Sequence, residues 1–438
     1  MFFLGVKLFV FFCKPFISFA GNLDFMLFLP QPSEKIFTTI DLPASKSESN
    51  RVLIIEALAK WQYVQKKLAL PKYSIQNISD ARDTKILQNL LKSTAPRLNV
   101  QDAGTTMRFL TAFCAVTNRK AILEGTERMH QRPIGILVEA LQELGAEINY
   151  LGGKGFPPLQ IQGFQQKKNS ISIRSDVSSQ FVSALLMIAP VMKNGLQITL
   201  QNKVSSLPYI KMTLSLMKNF EVESKWNENI VTIQPQLYQM KDFAIEADWS
   251  AASYWYSVAT LAKEAEIFLP YLKKNSLQGD SQIATIMEFF GIKTFYEKNG
   301  VRICKIGEPE TNFFEYDFSN QPDLAQTLVA LCVGKNITLI AKGVESLKIK
   351  ETDRLQALQN EVRKFGFQFY EIAENTWKLE KVEVLDFSEG AVDIATYQDH
   401  RMAMAFAPLS YRCALQIENP EVVEKSYPNF WQEWKKIN

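Results

Sequence analysis

Residues 132–148 read RPIGILVEALQELGAEI, and this stretch sets the pattern of the whole chain. Ile134, Leu137, Val138, Leu141 and Leu144 recur at helical spacing, Gly145 stops the helix, and an alternating strand begins at Ala146. The same design returns at 208–222 (PYIKMTLSLMKNFEV), 282–294 (QIATIMEFFGIKT) and 353–367 (DRLQALQNEVRKFGF). These endings recur at intervals of roughly 71 to 75 residues, too long for a solenoid unit and suited to a small α/β subdomain. Residues 79–91 (SDARDTKILQNLL) read as a further helix of this kind. Short alternating strands are expected at 171–173, 196–200 and 337–340, with turns at Gly152-Gly153, Lys193-Asn194-Gly195 and Lys298-Asn299-Gly300. The expectation is an α/β chain of about six helix-plus-strand units, three to a domain, with the domains joined directly near residues 241–247.

A chain of 438 residues can bury two large cores. Apolar residues make up 47% and charged residues 22%, an ordinary globular composition. Lys+Arg 49 against Asp+Glu 46 leaves a net charge of +3, which argues against a general nucleic-acid binder. Any cationic site must be a local concentration of charge. The cysteines Cys13, Cys114, Cys304, Cys332 and Cys413 are scattered without a Cys-x-x-Cys pair, so buried free thiols in a reducing compartment, the cytoplasm, are expected. With only His130 and His400, a His-based metal site is not expected. Residues 1–20 are rich in Phe, Leu and Val and resemble a signal peptide interrupted by Lys7 and Lys14. Nothing downstream looks secreted, and Met26 precedes the first strand. Residues 1–25 are therefore read as an extension outside the fold, with an export signal or anchor as the alternative.

Several stretches concentrate anion-binding chemistry at helix starts. Ala44-Ser45-Lys46-Ser47-Glu48-Ser49-Asn50-Arg51 places two cations and several hydroxyls directly before an apolar run. Free N–H groups and the helix dipole there suit a phosphate or carboxylate, although the nucleotide P-loop spacing is absent. Asp102-Ala103-Gly104-Thr105-Thr106-Met107-Arg108 is a second such loop, with Gly104 permitting close backbone approach and Asp102 expected to cap the helix. Ser178-Ser179-Gln180 is a third. In Lys348-Ile349-Lys350-Glu351-Thr352-Asp353-Arg354-Leu355, cations crowd a helix start where the dipole disfavours them, so they need an internal anion or a ligand. Asp399-His400-Arg401-Met402 and Lys425-Ser426-Tyr427-Pro428 close the series. Taken singly, each is equally an ordinary capped helix or a surface ion pair.

Taken in order, these stretches resemble the enolpyruvyl transferases, and within them the branch acting on shikimate 3-phosphate. The resemblance runs from about Phe28 to the C-terminus and also takes in Arg132-Pro133, Pro208-Tyr209-Ile210 and Pro322-Asp323. It implies two domains of three similar α/β units each, around an approximate threefold, closing on substrates at the cleft. The boundaries expected are 45–243 for one domain and 26–44 with 244–438 for the other. The implied reaction moves the enolpyruvyl group of phosphoenolpyruvate onto the 5-hydroxyl of shikimate 3-phosphate and releases phosphate. No metal, organic cofactor, nucleic acid or membrane is implied, and the chain is expected to act as a monomer.

By similarity, Lys46, Ser47, Arg51, Ser178, Ser179, Gln180, Ser206, Asp323 and Lys350 would hold the phosphorylated shikimate. Lys46, Asp102, Gly104, Arg132, Gln180, Arg354, Arg401 and Lys425 would surround phosphoenolpyruvate. Asp323 is expected as the base at the attacked hydroxyl, Glu351 as the group exchanging protons with the methyl carbon, and Lys46 as an acid. The bare Gly104 also implies inhibition by glyphosate in competition with phosphoenolpyruvate. Two positions depart from the family pattern: Gln101-Asp102 stands where Gly-Asn is frequent, and Ser346 where Asn is frequent. The segment between Arg51 and Asp102 is also shorter than in many members. The nearest rivals are the sister enzyme acting on UDP-N-acetylglucosamine, which typically carries a reactive loop cysteine, and a non-catalytic phosphate-binding scaffold.

Overall fold

The computed structural model describes residues 26–176, 178–202, 206–388 and 390–438. The expected extension over residues 1–25 lies outside the described residues. One unit recurs along the chain: a strand, a helix, a second strand parallel to the first, another helix, then a hairpin that completes the sheet. Arg97–Asn99, Ala121–Glu124, Ala146–Tyr150 and Leu159–Phe164 form one such sheet. Its first pair is parallel, and Leu159–Phe164 lies antiparallel between Ala121–Glu124 and Ala146–Tyr150. The sheets built on Leu196–Gln201, Glu264–Pro270 and Thr338–Lys342 repeat this order and these directions. In a fifth sheet, Met26–Leu29 takes the place of the hairpin, antiparallel to Leu415–Glu418. A sixth is reduced to Ile75–Gln76 beside Phe243–Ala244, in keeping with the short segment before Asp102.

The helix-glycine-strand pattern has a steric basis. Gly145 sits at φ +113°, and a Cβ there would stand 1.9 Å from the Gln165 carbonyl oxygen. Gly366, at φ +76°, would meet the Glu383 carbonyl oxygen at 2.4 Å. In both places a strand packs against the left-handed residue that ends the helix, so only hydrogen fits. The helix expected within 282–294 is shorter than its pattern: a 3-10 turn, Gly279–Gln282, runs into one α-turn, Ile283–Ile286. The β-branched Ile283, Thr285 and Ile286 hold it weakly, and tertiary packing does not extend it.

Buried apolar side chains fall into two clusters. One gathers residues from Ala44 to Ile245; the other takes Leu29, Ile36 and Ile40 and then Ala247 to Ile437. The chain crosses between them along two adjacent strands of backbone. There the Ser45 N–H donates to the Glu246 carbonyl at 2.8 Å, and the Asp248 N–H to the Pro43 carbonyl at 2.9 Å. Largely buried helices run through both clusters, among them Lys46–Gln65, Gly104–Val116 and Ser179–Ile188 in the first and Trp249–Leu261, Ala325–Lys335 and His400–Phe406 in the second. No helix among the described residues is long and apolar enough to cross a membrane.

Candidate active site

The starts of Lys46–Gln65, Gly104–Val116, Ser179–Ile188, Arg354–Arg363 and His400–Phe406, with Asp323 just ahead of Ala325–Lys335, converge on a cavity between the two cores. From the first core its wall takes Lys46, Ser47 and Arg51, then Gly104, Thr105 and Arg108, then Ser178, Ser179 and Gln180, with Arg132 and Ser206 beside them. From the second it takes Asp323, Lys350, Glu351, Arg354, His400 and Arg401. First-turn amides lack intrahelical partners, so helix starts facing one space make it electropositive before any side chain is counted. Local caps set the starts. Ser45 Oγ accepts from the Glu48 N–H at 3.4 Å, Ser178 Oγ from the Gln180 N–H at 3.3 Å, and the Asp399 carboxylate from the Arg401 N–H at 2.9 Å.

The second core contributes a tight mixture of charges. Arg354 Nε donates to Asp399 at 2.7 Å, while its terminal nitrogens reach Asp323 at 3.2 Å and Glu351 at 3.0 Å. Arg401 pairs with the other Asp323 oxygen at 3.1 Å and the Tyr209 hydroxyl donates to that same oxygen at 3.0 Å, while Lys350 Nζ stands 3.9 Å from the oxygen that Arg354 holds. Burial alone would raise the Asp323 pKa, but Arg401, Lys350 and Arg354 outweigh it and hold the carboxyl well below its usual range. Glu351 follows the same logic, with Arg354, Arg132 and Lys425 overcoming its burial. Both are carboxylates at neutral pH. The cations that crowd this helix start are thus met by internal acids.

Lys425 and Asp102 stand behind the cavity wall. Lys425 Nζ donates to Asp83 at 3.1 Å, to the Asp102 carboxylate at 2.8 Å and to the Asp102 carbonyl at 2.9 Å, which uses all three of its N–H groups. The expectation that Asp102 caps the following helix is corrected here. The cap position is Ala103, which makes no side-chain bond. The Asp102 carboxylate turns instead to Lys425 and to Arg82, at 3.1 Å, because ion pairing with a buried ammonium outweighs one amide contact. Burial pushes the Asp102 pKa up, but Lys425 and Arg82 bring it below its ordinary value.

The remaining expected residues are positioned as follows. Arg51 is buried, donates to Thr213 at 2.7 Å and to the Ser47 carbonyl at 2.9 Å, and lies over the rings of Phe109 and Tyr209. Lys46 Nζ is 3.3 Å from Asp83. Gln180 donates to Thr105 at 3.1 Å. Ser206 holds φ +57°, and its N–H reaches the Ser319 carbonyl of the other core at 2.9 Å. Arg132 packs directly over Gly104, where a Cβ would fall 2.6 Å from two guanidinium nitrogens. Its buried Nε has no hydrogen-bond partner among the described residues. Ser346 lines the cavity.

Sequence reasoning overlooked four groups. Asp83 links Lys46 to Lys425; it lies in a stretch that reads only as an amphipathic helix. Tyr209 and Asp399, which anchor Asp323 and Arg354, sat inside quoted motifs without a role. Arg108 lines the cavity and donates to the carbonyls of Gly104 and Pro133, at 3.2 and 2.7 Å, and to the Met129 sulfur at 3.6 Å. Among the described residues, no cluster of His, Cys, Asp or Glu is arranged to hold a metal ion.

Comparison with known proteins adds the lineage. The family described as EPSP synthase (3-phosphoshikimate 1-carboxyvinyltransferase) matches residues 64–434. The chain belongs to the EPSP synthase family. The 3-phosphoshikimate 1-carboxyvinyltransferase of Bacteroides fragilis (strain YCH46) is 44% identical over 415 residues, covering 94% of this chain and 98% of the relative. That of Idiomarina loihiensis is 33% identical over 428 residues, covering 93% and 98%. Among solved structures, an EPSP synthase from Acinetobacter baumannii superposes with a TM-score of 0.71 at 18% identity, covering 94% of this chain and 98% of that one. The enolpyruvyl transferase NikO from Streptomyces tendae gives 0.66 at 11%, covering 94% and 97%. These structural likenesses support the two-domain fold. As an EPSP synthase family member, the chain is an enolpyruvyl transferase acting between phosphoenolpyruvate and shikimate 3-phosphate. The rival reading as the UDP-sugar enzyme falls away. Cys114, the cysteine nearest in sequence to the cavity-lining Gly104 and Arg108, is buried in a helix, and burial pushes its thiol up to about 12, the opposite of a reactive loop cysteine.

Proposed function

We propose that the two cores act as domains, 45–243 and 26–44 with 244–438, and that each supplies half of a substrate-neutralising site. Lys46, Ser47, Arg51, Ser178, Ser179, Gln180, Ser206, Asp323 and Lys350 take shikimate 3-phosphate. Lys46, Gly104, Gln180, Arg132, Arg354 and Arg401 take phosphoenolpyruvate, with Lys425 and Asp102 behind them. The observation carrying this reading is the convergence of cations and helix starts from both cores on one cavity. Each substrate brings a carboxylate and a phosphate carrying about 1.5–2 negative charges, and such a load needs cations from more than one side.

The chemistry is addition followed by elimination. Asp323 accepts the proton of the attacking hydroxyl. A proton passes to the methylene carbon and is later lost from the methyl group as phosphate leaves, with Glu351 serving that carbon and Lys46 supplying an acid. Asp323 is too strongly held by Arg354, Arg401 and Lys350 to be a good base in the empty site. Anionic substrates offset those cations and lift its pKa, so base strength appears when the substrates are bound. We further read the enzyme as a cytoplasmic monomer. The free thiols at Cys114, Cys304, Cys332 and Cys413 support a reducing compartment.

The test is a phosphate-release assay with substrate binding measured in parallel. Asp323→Asn and Glu351→Gln should each lower kcat by about 10²–10⁴-fold while shikimate 3-phosphate still binds. A loss below about fivefold in both would remove these residues from the proton transfers.

A further inference from the structure

We propose that Arg128 is a positioning residue: it closes across the cleft onto the backbone of Lys350 and Glu351 and so sets where both side chains stand. Arg128 lies on the short helix Glu127–His130, capped by Thr126, whose Met129 is packed in the first core. Its guanidinium reaches the second core. Nε donates to the Glu351 carbonyl at 3.0 Å and one terminal nitrogen to the Lys350 carbonyl at 3.0 Å, while the other terminal nitrogen donates to Gln131 at 3.3 Å. One planar fork thus grips two consecutive carbonyls, fixing both the distance and the orientation of that peptide.

The gripped segment needs such a hold. Residues 350–352 form a bend between the 3-10 turn Glu345–Ile349 and the helix Arg354–Arg363, and belong to neither. Two other side-chain contacts crossing between the cores use charged or polar groups at the cavity wall or just behind it. Tyr209 bonds Asp323, and Lys425 bonds Asp83 and Asp102. Arg128 does not line the cavity, and its acceptors are peptide carbonyls, for which substrate anions do not compete. The contact therefore persists with the site full. Because it exists only when the cores are together, it favours the same arrangement that brings the cations of both cores onto the substrates, and each strengthens the other. Its effect on the chemistry passes through Lys350 and Glu351, so the inference rests on the roles proposed for them above.

The experiment uses Arg128→Ala, Arg128→Gln and Arg128→Lys in the full chain. Phosphate release gives kcat and the KM of each substrate, and small-angle scattering with shikimate 3-phosphate gives the radius of gyration. Arg128→Ala should lower kcat/KM for phosphoenolpyruvate by about tenfold or more, the scale of losing charge-assisted bonds, with an unchanged melting temperature and an enlarged radius. Arg128→Lys should recover part of the loss, because an ammonium keeps the charge but not the fork. Added to Glu351→Gln, Arg128→Ala should cost much less than in the wild type, since the group it positions is already disabled. Values of kcat and KM within twofold of wild type in both Arg128→Ala and Arg128→Gln overturn the inference, as does a fully additive loss with an unchanged radius. Full activity in Glu351→Gln and Lys350→Met would instead overturn the underlying roles, whatever Arg128 does.

Discussion

Gly104→Ala isolates one contact whose consequence can be worked from geometry. The new Cβ would stand 2.6 Å from both terminal nitrogens of Arg132 and 2.7 Å from its Cζ. Gly104 does not have the left-handed φ that an alanine resists, so the backbone stays and the guanidinium moves. Relief to an ordinary contact of 3.4 Å displaces it by about 0.8 Å. A charge-assisted hydrogen bond is worth about 1.5–3 kcal/mol, and a misplacement of this size forfeits a large part of it. We expect the KM for phosphoenolpyruvate to rise about tenfold, equivalent to about 1.4 kcal/mol, with kcat reduced less than threefold. Alanine is also the better helix former, so thermal stability should hold or rise. Glyphosate, a longer molecule competing for the same space, should lose more affinity than phosphoenolpyruvate does. The assay is initial-rate phosphate release against phosphoenolpyruvate at saturating shikimate 3-phosphate, with and without glyphosate. A stably folded Gly104→Ala enzyme with an unchanged KM and unchanged inhibition would show that Arg132 over Gly104 does not shape this pocket.

Three further outcomes are expected. Glu48 is buried, and desolvation pushes its carboxyl up to about 7 against the opposing Glu246 N–H. The fold therefore holds a proton there that the unfolded chain has lost, a contribution present at low pH and lost as pH rises through about 7. Glu48→Gln should melt higher than wild type at about pH 8.5, with the gap narrowing as pH falls below about 7 and closing only at about pH 4, below the ordinary carboxyl range; a gap that does not vary with pH would contradict this. Asp102→Asn should cost about 1 kcal/mol near neutral pH by weakening the pairs with Lys425 and Arg82. Because the folded-state pKa of Asp102 is depressed, that difference should fade as pH falls below the ordinary carboxylate range, which urea titrations at two pH values would read. A chain starting at Met26 should turn over like the full chain. One starting at Glu34 should lose stability, since the strand Met26–Leu29 pairs with Leu415–Glu418.

The periodic helix, the glycine that ends it and the strand beyond are local facts, and they are legible at 132–148 and 353–367 because each is set by neighbours within a few residues. The hydroxyl and amide caps at Ser45 and Ser178 are equally local. Where local propensity was weak, as over 282–294, the pattern overstated the helix. The cations that line the cavity were also legible, since Lys46, Arg132, Lys350, Arg354 and Arg401 stand in ordered motifs. Their partners were not. Asp83 and Lys425 are separated by 342 residues yet share a hydrogen bond, and Arg128 meets Lys350 and Glu351 across more than two hundred residues. Asp102 shows the limit most clearly. Its sequence position reads as a helix cap, but in the folded chain the Lys425 ammonium from the other core arrives within 2.8 Å and takes the carboxylate for itself. Charge pairing between distant segments depends on which desolvated groups the packing brings together, and no window of sequence contains that information.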